Sequence, residues 1–318
     1  MQLDQSQYGL TEEEYAPEID SERKNNIMVR EINTREVLPI TKRKKRLIWA
    51  GAAAAALVGL AAGLDSRLTA PHYQIESKKL SGTVRVALIT DLHSCNYGAG
   101  QRELLDAVAA EQPDLVLLGG DIVDDDPGLP AENAYTVVRT LAEQYSTYYV
   151  TGNHEFWSGQ AEEIKENMAS CGAAVLAGTW EDVAVNGQSL RICGVDDPAA
   201  GEAVWTEQLD RVGEAADTSR FTILLTHRPE RVDAYMQYDF DLTAAGHAHG
   251  GQWRVPGLIN GLLAPNQGLF PKYAGGLYRL GGQTMVVSRG LARESTRIPR
   301  LFNRPELVVL ELMPQGSA

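Results

Sequence analysis

Cysteine is scarce in this chain: Cys95, Cys171 and Cys193 are the whole supply, and no two of them form a CxxC pair. That spacing excludes a zinc ribbon and a thioredoxin-type motif, and the odd count argues against a disulfide framework. Buried free thiols are the expectation. Basic charge is short as well, with 29 Lys and Arg against 42 Asp and Glu and a net charge of -13. A surface that acidic repels polyanions, so no nucleic-acid partner is expected. Internal repeats are absent, and the one low-complexity tract is a run of alanines near the N-terminus. What remains is 318 residues, 44% of them hydrophobic. That is enough for one large domain with a sizeable core.

Residues 1–41 are polar and mostly acidic, with Glu12, Glu13 and Glu14 in a row. They show no apolar period and read as a disordered tail. A basic cluster, Lys42 to Arg46, precedes the uncharged stretch LIWAGAAAAALVGLAAGL over 47–64. A spanning helix needs about 20 apolar residues, so this stretch is just long enough. Three readings compete for it. A buried core helix is disfavoured, because a helix apolar on every face has nowhere to pack beside a polar tail. A cleaved signal peptide could end at Ala61, Ala62 and Gly63, but the polar region before it is far longer than usual. An uncleaved anchor is preferred. The basic cluster then places the N-terminus in the cytoplasm and the rest of a single-pass membrane protein outside. Residues 65–82 read as a linker and 83–318 as the folded domain.

Within that domain, short apolar runs alternate with amphipathic stretches. VRVALIT (84–90), DLVLLGG (114–120) and TYYVTG (147–152) read as strands, and 103–110, 131–144 and 160–171 as helices. This alternation predicts an α/β fold with βαβ units and a mainly parallel sheet. The later half is richer in strands, at 182–185, 189–195, 221–226, 240–246, 284–288 and 306–312.

Five of the apolar runs end in residues able to bind a metal. Asp91 and His93 follow the first, Asp121 the second, Asn153, His154 and Glu155 the third, His227 the fourth, and His247 and His249 the fifth. In open α/β sheets, ligands gather at the carboxyl ends of strands, so five segments would deliver these groups to one place. Asp91 and His93 are two apart, as are His247 and His249, and residues two apart in extended chain point the same way. Five of the six histidines lie in these motifs; only His72 lies elsewhere. Taken singly, Asp-x-His or Gly-Asp after a strand is an ordinary cap or turn. Gly152-Asn153-His154-Glu155 is more specific, since a plain turn does not require His-Glu. The two histidines of Gly246-His247-Ala248-His249-Gly250-Gly251 are poor core material, and that block is the strongest single signal.

The ordered blocks together resemble the calcineurin-like metallophosphoesterase superfamily over roughly residues 80–313. GHAHGGQW (246–253), APNQGLFPKYAGGLY (264–278), VSRGL (287–291) and PRLFNRPEL (299–307) are similar to a bacterial branch with an exported or membrane-anchored phosphodiesterase domain. The resemblance implies a four-layer α/β/β/α sandwich of two mixed sheets. It implies a first metal on Asp91, His93 and His249, a second on Asn153, His227 and His247, and Asp121 bridging both. Such oxygen and imidazole donors suit Mn, Fe or Zn, and analogy favours two Mn ions. Two metals so placed would neutralise phosphate oxygens and lower the pKa of a bridging water, whose hydroxide would attack phosphorus in line. The resemblance further implies that His154 contacts the phosphate or leaving oxygen, while Glu155 reads more plainly as a partner that orients a histidine.

The expected function is therefore hydrolysis of a phosphodiester or pyrophosphate bond in a lipid-linked or cell-wall substrate, with the catalytic domain outside the cell membrane. A broad phosphomonoesterase and a non-catalytic metal-binding envelope protein are the alternatives; a nuclease is disfavoured by the acidic balance. Trp253, Phe270, Tyr273, Phe156 and Trp157 each read singly as core, and as a set could line an apolar entrance. Arg228, Arg254 and Lys272 read either as surface charges or as anchors for a second phosphate.

Overall fold

The computed structural model describes residues 41–293 and 298–316. The acidic tail read over 1–41 thus lies outside the described residues, except for Thr41. The chain divides into two compact units, Met1–Ala50 and Gly51–Ala318. All described strands belong to the second. They run β1 His72–Ser77, β2 Val84–Ile89, β3 Leu115–Gly119, β4 Ser146–Val150, β5 Ala174–Val175, β6 Thr179–Val185 and β7 Gln188–Gly194. They continue as β8 Phe221–Leu225, β9 Leu242–Ala245, β10 Leu263–Ala264, β11 Gly268–Leu269, β12 Gly276–Leu280, β13 Gln283–Val287 and β14 Val308–Pro314. The helices are α1 Lys42–Gly63, α2 Arg102–Glu111, α3 Ala131–Ala142, α4 Asn153–Trp157, α5 Ala161–Ser170, α6 Glu202–Glu214 and α7 Val232–Tyr235.

Two six-stranded sheets carry the fold, in the orders β1-β14-β2-β3-β4-β5 and β12-β13-β9-β8-β7-β6. Both are mixed. The central neighbours β2-β3-β4 and β7-β8-β9 are parallel, while β14 against β2, β12 against β13 and β6 against β7 are antiparallel. The period of two along each strand explains the layers. Val84, Val86 and Leu88 of β2 join Ile192, Ile223 and Leu225 in a core between the sheets. Ala87 and Ile89 point the other way, into a core with Leu104, Val108, Val137, Leu141 and Ile164 of α2, α3 and α5. On the outer face of the second sheet, Cys193, Leu224 and Met285 pack against Trp205, Leu209 and Tyr235 of α6 and α7. The result is the α/β/β/α sandwich, with strands buried on both faces and therefore nearly continuous in apolar residues.

Two segments depart from the sequence reading. The stretch read as a linker, 65–82, contains β1, which pairs in parallel with β14 from His72↔Val309 to Ser77↔Pro314. Only Ile75 of β1 is buried, so the segment has too little alternation to announce itself. Helix α6 follows Gly201, and its buried Trp205, Leu209 and Val212 recur at helical spacing that the charged residues between them obscure. No disulfide is formed among the described residues, and Cys95 and Cys193 are buried. Among the described residues α1 is the one helix long and apolar enough to cross a membrane. Leu47, Ile48, Trp49, Leu57 and Val58 on it are all exposed, which removes the core-helix reading.

Candidate metal centre

Parallel β2, β3 and β4 end side by side in one sheet, as do β8 and β9 in the other, and the polar residues that follow them converge. Asp91, His93, Asp121 and His249 place one ligand atom each within 4.8 Å of one another, and so do Asp121, His227 and His247. Asp121 belongs to both groups. His227 Nε2 lies 3.0 Å from Asp121 Oδ2, His93 Nε2 3.7 Å from the same oxygen, and His249 Nε2 3.7 Å from Asp91 Oδ1. Asn153 is buried at the start of α4, and its Oδ1 has no partner.

The backbone pays for this convergence in conformation. Asp91, His93, Asp121, His247 and His249 all have φ between 46° and 65°, in the left-handed region. Non-glycine residues held there cost of order 1–3 kcal/mol each and cluster at functional sites. Gly120 relieves one close approach: with φ of 84°, it sits where a Cβ would fall 2.7 Å from Gly152 N and from His227 Nδ1.

A web of hydrogen bonds aims the side chains. His93 Nδ1 is 2.7 Å from Asp124 Oδ2, which turns Nε2 inward. His227 Nδ1 donates to Gly119 O at 2.8 Å, which does the same for its Nε2. His247 Nε2 lies 2.9 Å from Asn266 Oδ1, leaving Nδ1 buried and free. Such partners fix the ring orientation and tautomer of a metal-binding histidine. Glu155 works differently from the expectation that it orients a histidine. Its carboxylate accepts the backbone N–H groups of Asp121, Ile122, Val123 and Gly152 at 2.7–3.1 Å, tying the loops after β3 and β4 together. Burial and the neighbouring Asp121 push its pKa up to about 7, against the pull of those donors.

Charge is concentrated and partly unpaired. Burial alone would raise Asp121, but His227, His93 and His154 hold its carboxyl well below the ordinary range. Burial would lower His227, yet Asp121 pushes it up to about 10. Burial, then His227 and Arg228, depress His247; burial, then His93 and Arg300, depress His249. Asp91 Oδ2, His93 Nε2, Asn153 Oδ1, His247 Nδ1 and His249 Nδ1 are sealed from solvent without a hydrogen-bond partner. Orphaned polar atoms on imidazoles, an amide and a carboxylate are what a divalent cation would complete, so these residues fit a metal pair.

Several participants were not foreseen from sequence. Asp124 joins His93 and His154 in a third compact group, and His154 Nδ1 contacts Asp125 Oδ1 at 2.5 Å. The His154 ring stands edge-on to His93, with centroids 4.4 Å apart, and the backbone N–H of His154 donates to Asp121 Oδ1 at 2.8 Å. Arg228 is no free phosphate anchor: it is buried against Asp197, at 2.5 and 2.9 Å, and also donates to Asn266. Arg300 donates Nη1 to Arg289 O at 2.8 Å, while its Nε and Nη2 are sealed without partners. Its place in the field of Asp91 and His249 brings it to the centre. Of the aromatics, Tyr273 is buried, whereas Trp157, Trp253 and Phe270 are exposed.

The family model for calcineurin-like phosphoesterases matches residues 84–251, from β2 through the loop that bears His249. The chain belongs to this family. It is by that membership a metal-dependent phosphoester hydrolase with an Asp/His cluster able to hold two metals. It is 29% identical over 261 residues to an uncharacterised metallophosphoesterase of Campylobacter jejuni, covering 79% of this chain and 66% of that one. It is 30% identical over 234 residues to the phosphodiesterase YaeI of Escherichia coli K12, covering 72% of this chain and 82% of that one. A bovine transmembrane protein with a metallophosphoesterase domain is 26% identical over 244 residues, 72% of this chain and 53% of that one. The match thus spans just under two thirds of the Campylobacter protein and about half of the bovine one.

Proposed function

We propose that the chain hydrolyses a phosphodiester or pyrophosphate bond in a lipid-linked or cell-envelope substrate. In this reading Asp91, His93 and His249 hold one metal, Asn153, His227 and His247 hold a second, and Asp121 holds both. The observation that carries it is the sharing of Asp121 by two compact ligand groups, one fed mainly by the first sheet and the other mainly by the second. Two divalent cations, when bound there, would supply positive charge against the phosphate oxygens and lower the pKa of a water. The donor set contains no thiolate and suits Mn, with Zn or Fe accommodated by the same ligands.

The protein's own groups divide the remaining work. His154, held by Asp125 through Nδ1, has no described residue on Nε2, which is free to donate to a phosphate or leaving oxygen. Arg300 offers Nε and Nη2 to a phosphate oxygen, a charge-assisted contact that would satisfy both. The diesterase preference is supported by the likeness to the E. coli phosphodiesterase. A membrane location is supported by the exposed apolar helix α1 and by the likeness to a transmembrane relative. The basic run Lys42–Arg46 at its start supports an outside position for the catalytic domain.

The test is metal analysis of the full chain together with turnover of bis-p-nitrophenyl phosphate and p-nitrophenyl phosphate. Metal-dependent turnover that favours the diester is expected. Turnover confined to the monoester would replace the reading with a phosphomonoesterase, and bound metal with no turnover of either would leave a binding protein.

A further inference from the structure

Outside α1, most of the folded unit exposes large apolar side chains singly along the sequence: Trp157, Trp180, Val204 and Met236. Two segments break the pattern. Trp253, Leu258, Leu263, Leu269 and Phe270 are all exposed in one, and Ile298 in the other. The segments are joined. Arg254 N donates to Leu301 O at 2.9 Å, Leu301 N to Gln252 O at 3.2 Å, and the Trp253 indole to Pro299 O at 2.9 Å. Between them lies an apolar cavity of about 200 Å³ bordered by Trp253, Leu262, Leu263 and Ile298. The short hairpin β10–β11 pairs Leu263 with Leu269 and leaves both exposed. A concentration of apolar surface of this kind marks an interaction site.

The end of α1 says what covers it. Phe302 N donates to Gly63 O at 2.6 Å, and a Cβ on Gly63 would fall 2.7 Å from Leu301 Cδ1 and 2.9 Å from Phe302 Cε2. The last turn of an exposed apolar helix therefore closes on the same surface, and the apolar phase that solvates one reaches the other. Charge agrees. The chain has 42 Asp and Glu, yet from Leu242 to Arg293 it has none, while Arg254, Lys272, Arg279, Arg289 and Arg293 fall in that interval. Arg289 and Arg293 are taken up by Glu306 and Glu103, which leaves the exposed Lys272 and the half-buried Arg254 to meet anionic headgroups, and an exposed tryptophan suits the headgroup level.

We infer that the surface formed by residues 253–270 and 298–302 rests on the lipid bilayer that receives α1, and that lipid-linked substrate reaches the metal centre across it. The inference rests on the anchor reading given above. The path is short: Asn303 Nδ2 donates to His249 O at 2.7 Å and to Gln252 O at 3.1 Å, so this surface is fastened to the loop of a candidate ligand. A headgroup could then reach the centre while its acyl chains stay in the membrane.

The experiment uses the full chain in vesicles of phosphatidylcholine and phosphatidylglycerol, with and without bromine on the acyl chains. Tryptophan quenching is compared between the wild type and Trp253→Phe. The expected result is a bromine-quenched component that Trp253→Phe removes. Leu269→Asp with Phe270→Asp, both on exposed positions, is expected to abolish that component and to lower turnover of a vesicle-borne phosphodiester lipid roughly tenfold. Turnover of bis-p-nitrophenyl phosphate stays unchanged. Protein that resists alkaline extraction from the vesicles but shows the same quenched fraction in wild type and Trp253→Phe overturns the inference while leaving the anchor standing. Protein released by alkali overturns the anchor reading first. A paired fall in lipid and soluble turnover by the double variant overturns the route for substrate.

Discussion

His154 touches Asp125 through one ring nitrogen and the ring of His93 through its edge, yet it belongs to neither group that shares Asp121. His154→Gln is therefore expected to keep both metals and to lower kcat roughly 10²–10³-fold. Elemental analysis beside steady-state kinetics checks this, and loss of metal would make His154 a ligand. Arg300 makes a second case. Two buried guanidinium nitrogens without partners are costly unless an anion completes them. Arg300→Ala is expected to raise KM for a diester about tenfold, with Arg300→Lys recovering part of it; an unchanged KM would assign Arg300 to structure alone. Legibility divides along the same line. The candidate ligands were visible because each terminates an apolar run, a relation that sequence preserves. Asp124, Asp125 and Asn266 were not, because Asp124-Asp125-Asp126 has the composition of a plain turn and Asn266 sits in a Gly- and Pro-rich loop. Only the tertiary fold shows that they meet His93, His154 and His247.

At the scale of elements, the strands that carry ligands are the ones the sequence reveals, and most of the strands at the margins, β6 excepted, are the ones it hides. Central β2, β3 and β8 are buried along nearly their whole length, so their apolar runs are unmistakable. Edge strand β1 buries Ile75 alone, and β12 is only half-buried, so neither has a pattern that differs from a loop. The hidden strand still contributes to the core. Ile75 packs between the sheets with Val84, Leu310 and Leu312. Ile75→Ala is expected to cost about 2–4 kcal/mol, measured as a lower urea midpoint at constant m-value. Gln74→Ala on the outward position is expected to cost well under about 1 kcal/mol. Equal effects would mean that β1 is dispensable, as a linker would be.

At the scale of the whole molecule, the candidate ligands join two halves that otherwise meet through apolar packing and a few polar contacts such as Lys79–Asp241 and Thr151–Asp196. Asp91, His93, Asp121 and Asn153 follow strands of the first sheet, and His227, His247 and His249 follow strands of the second. A cation pair held across that seam binds the folded chain and has no preformed site in the unfolded one. Its binding energy then adds directly to stability, by about 2.7 kcal/mol at a free concentration one hundred times Kd. For a chain of this size each kcal/mol is worth roughly 2–4 °C in Tm, so chelation is expected to lower Tm by several degrees. The effect carries a pH signature. Without metal, Asp121 holds His227 protonated, with its pKa pushed up to about 10. A metal ligand must be neutral, so uptake at neutral pH releases that proton, and affinity falls as pH is lowered. Calorimetry of Mn uptake in buffers of different ionisation enthalpy reads the proton directly. Asp121→Ala tests the connection. It removes the oxygen shared by both groups, so metal should no longer raise Tm and the protein should retain neither ion. A variant that keeps one ion and half the Tm shift would show that the two groups bind independently, with Asp121 serving only one of them.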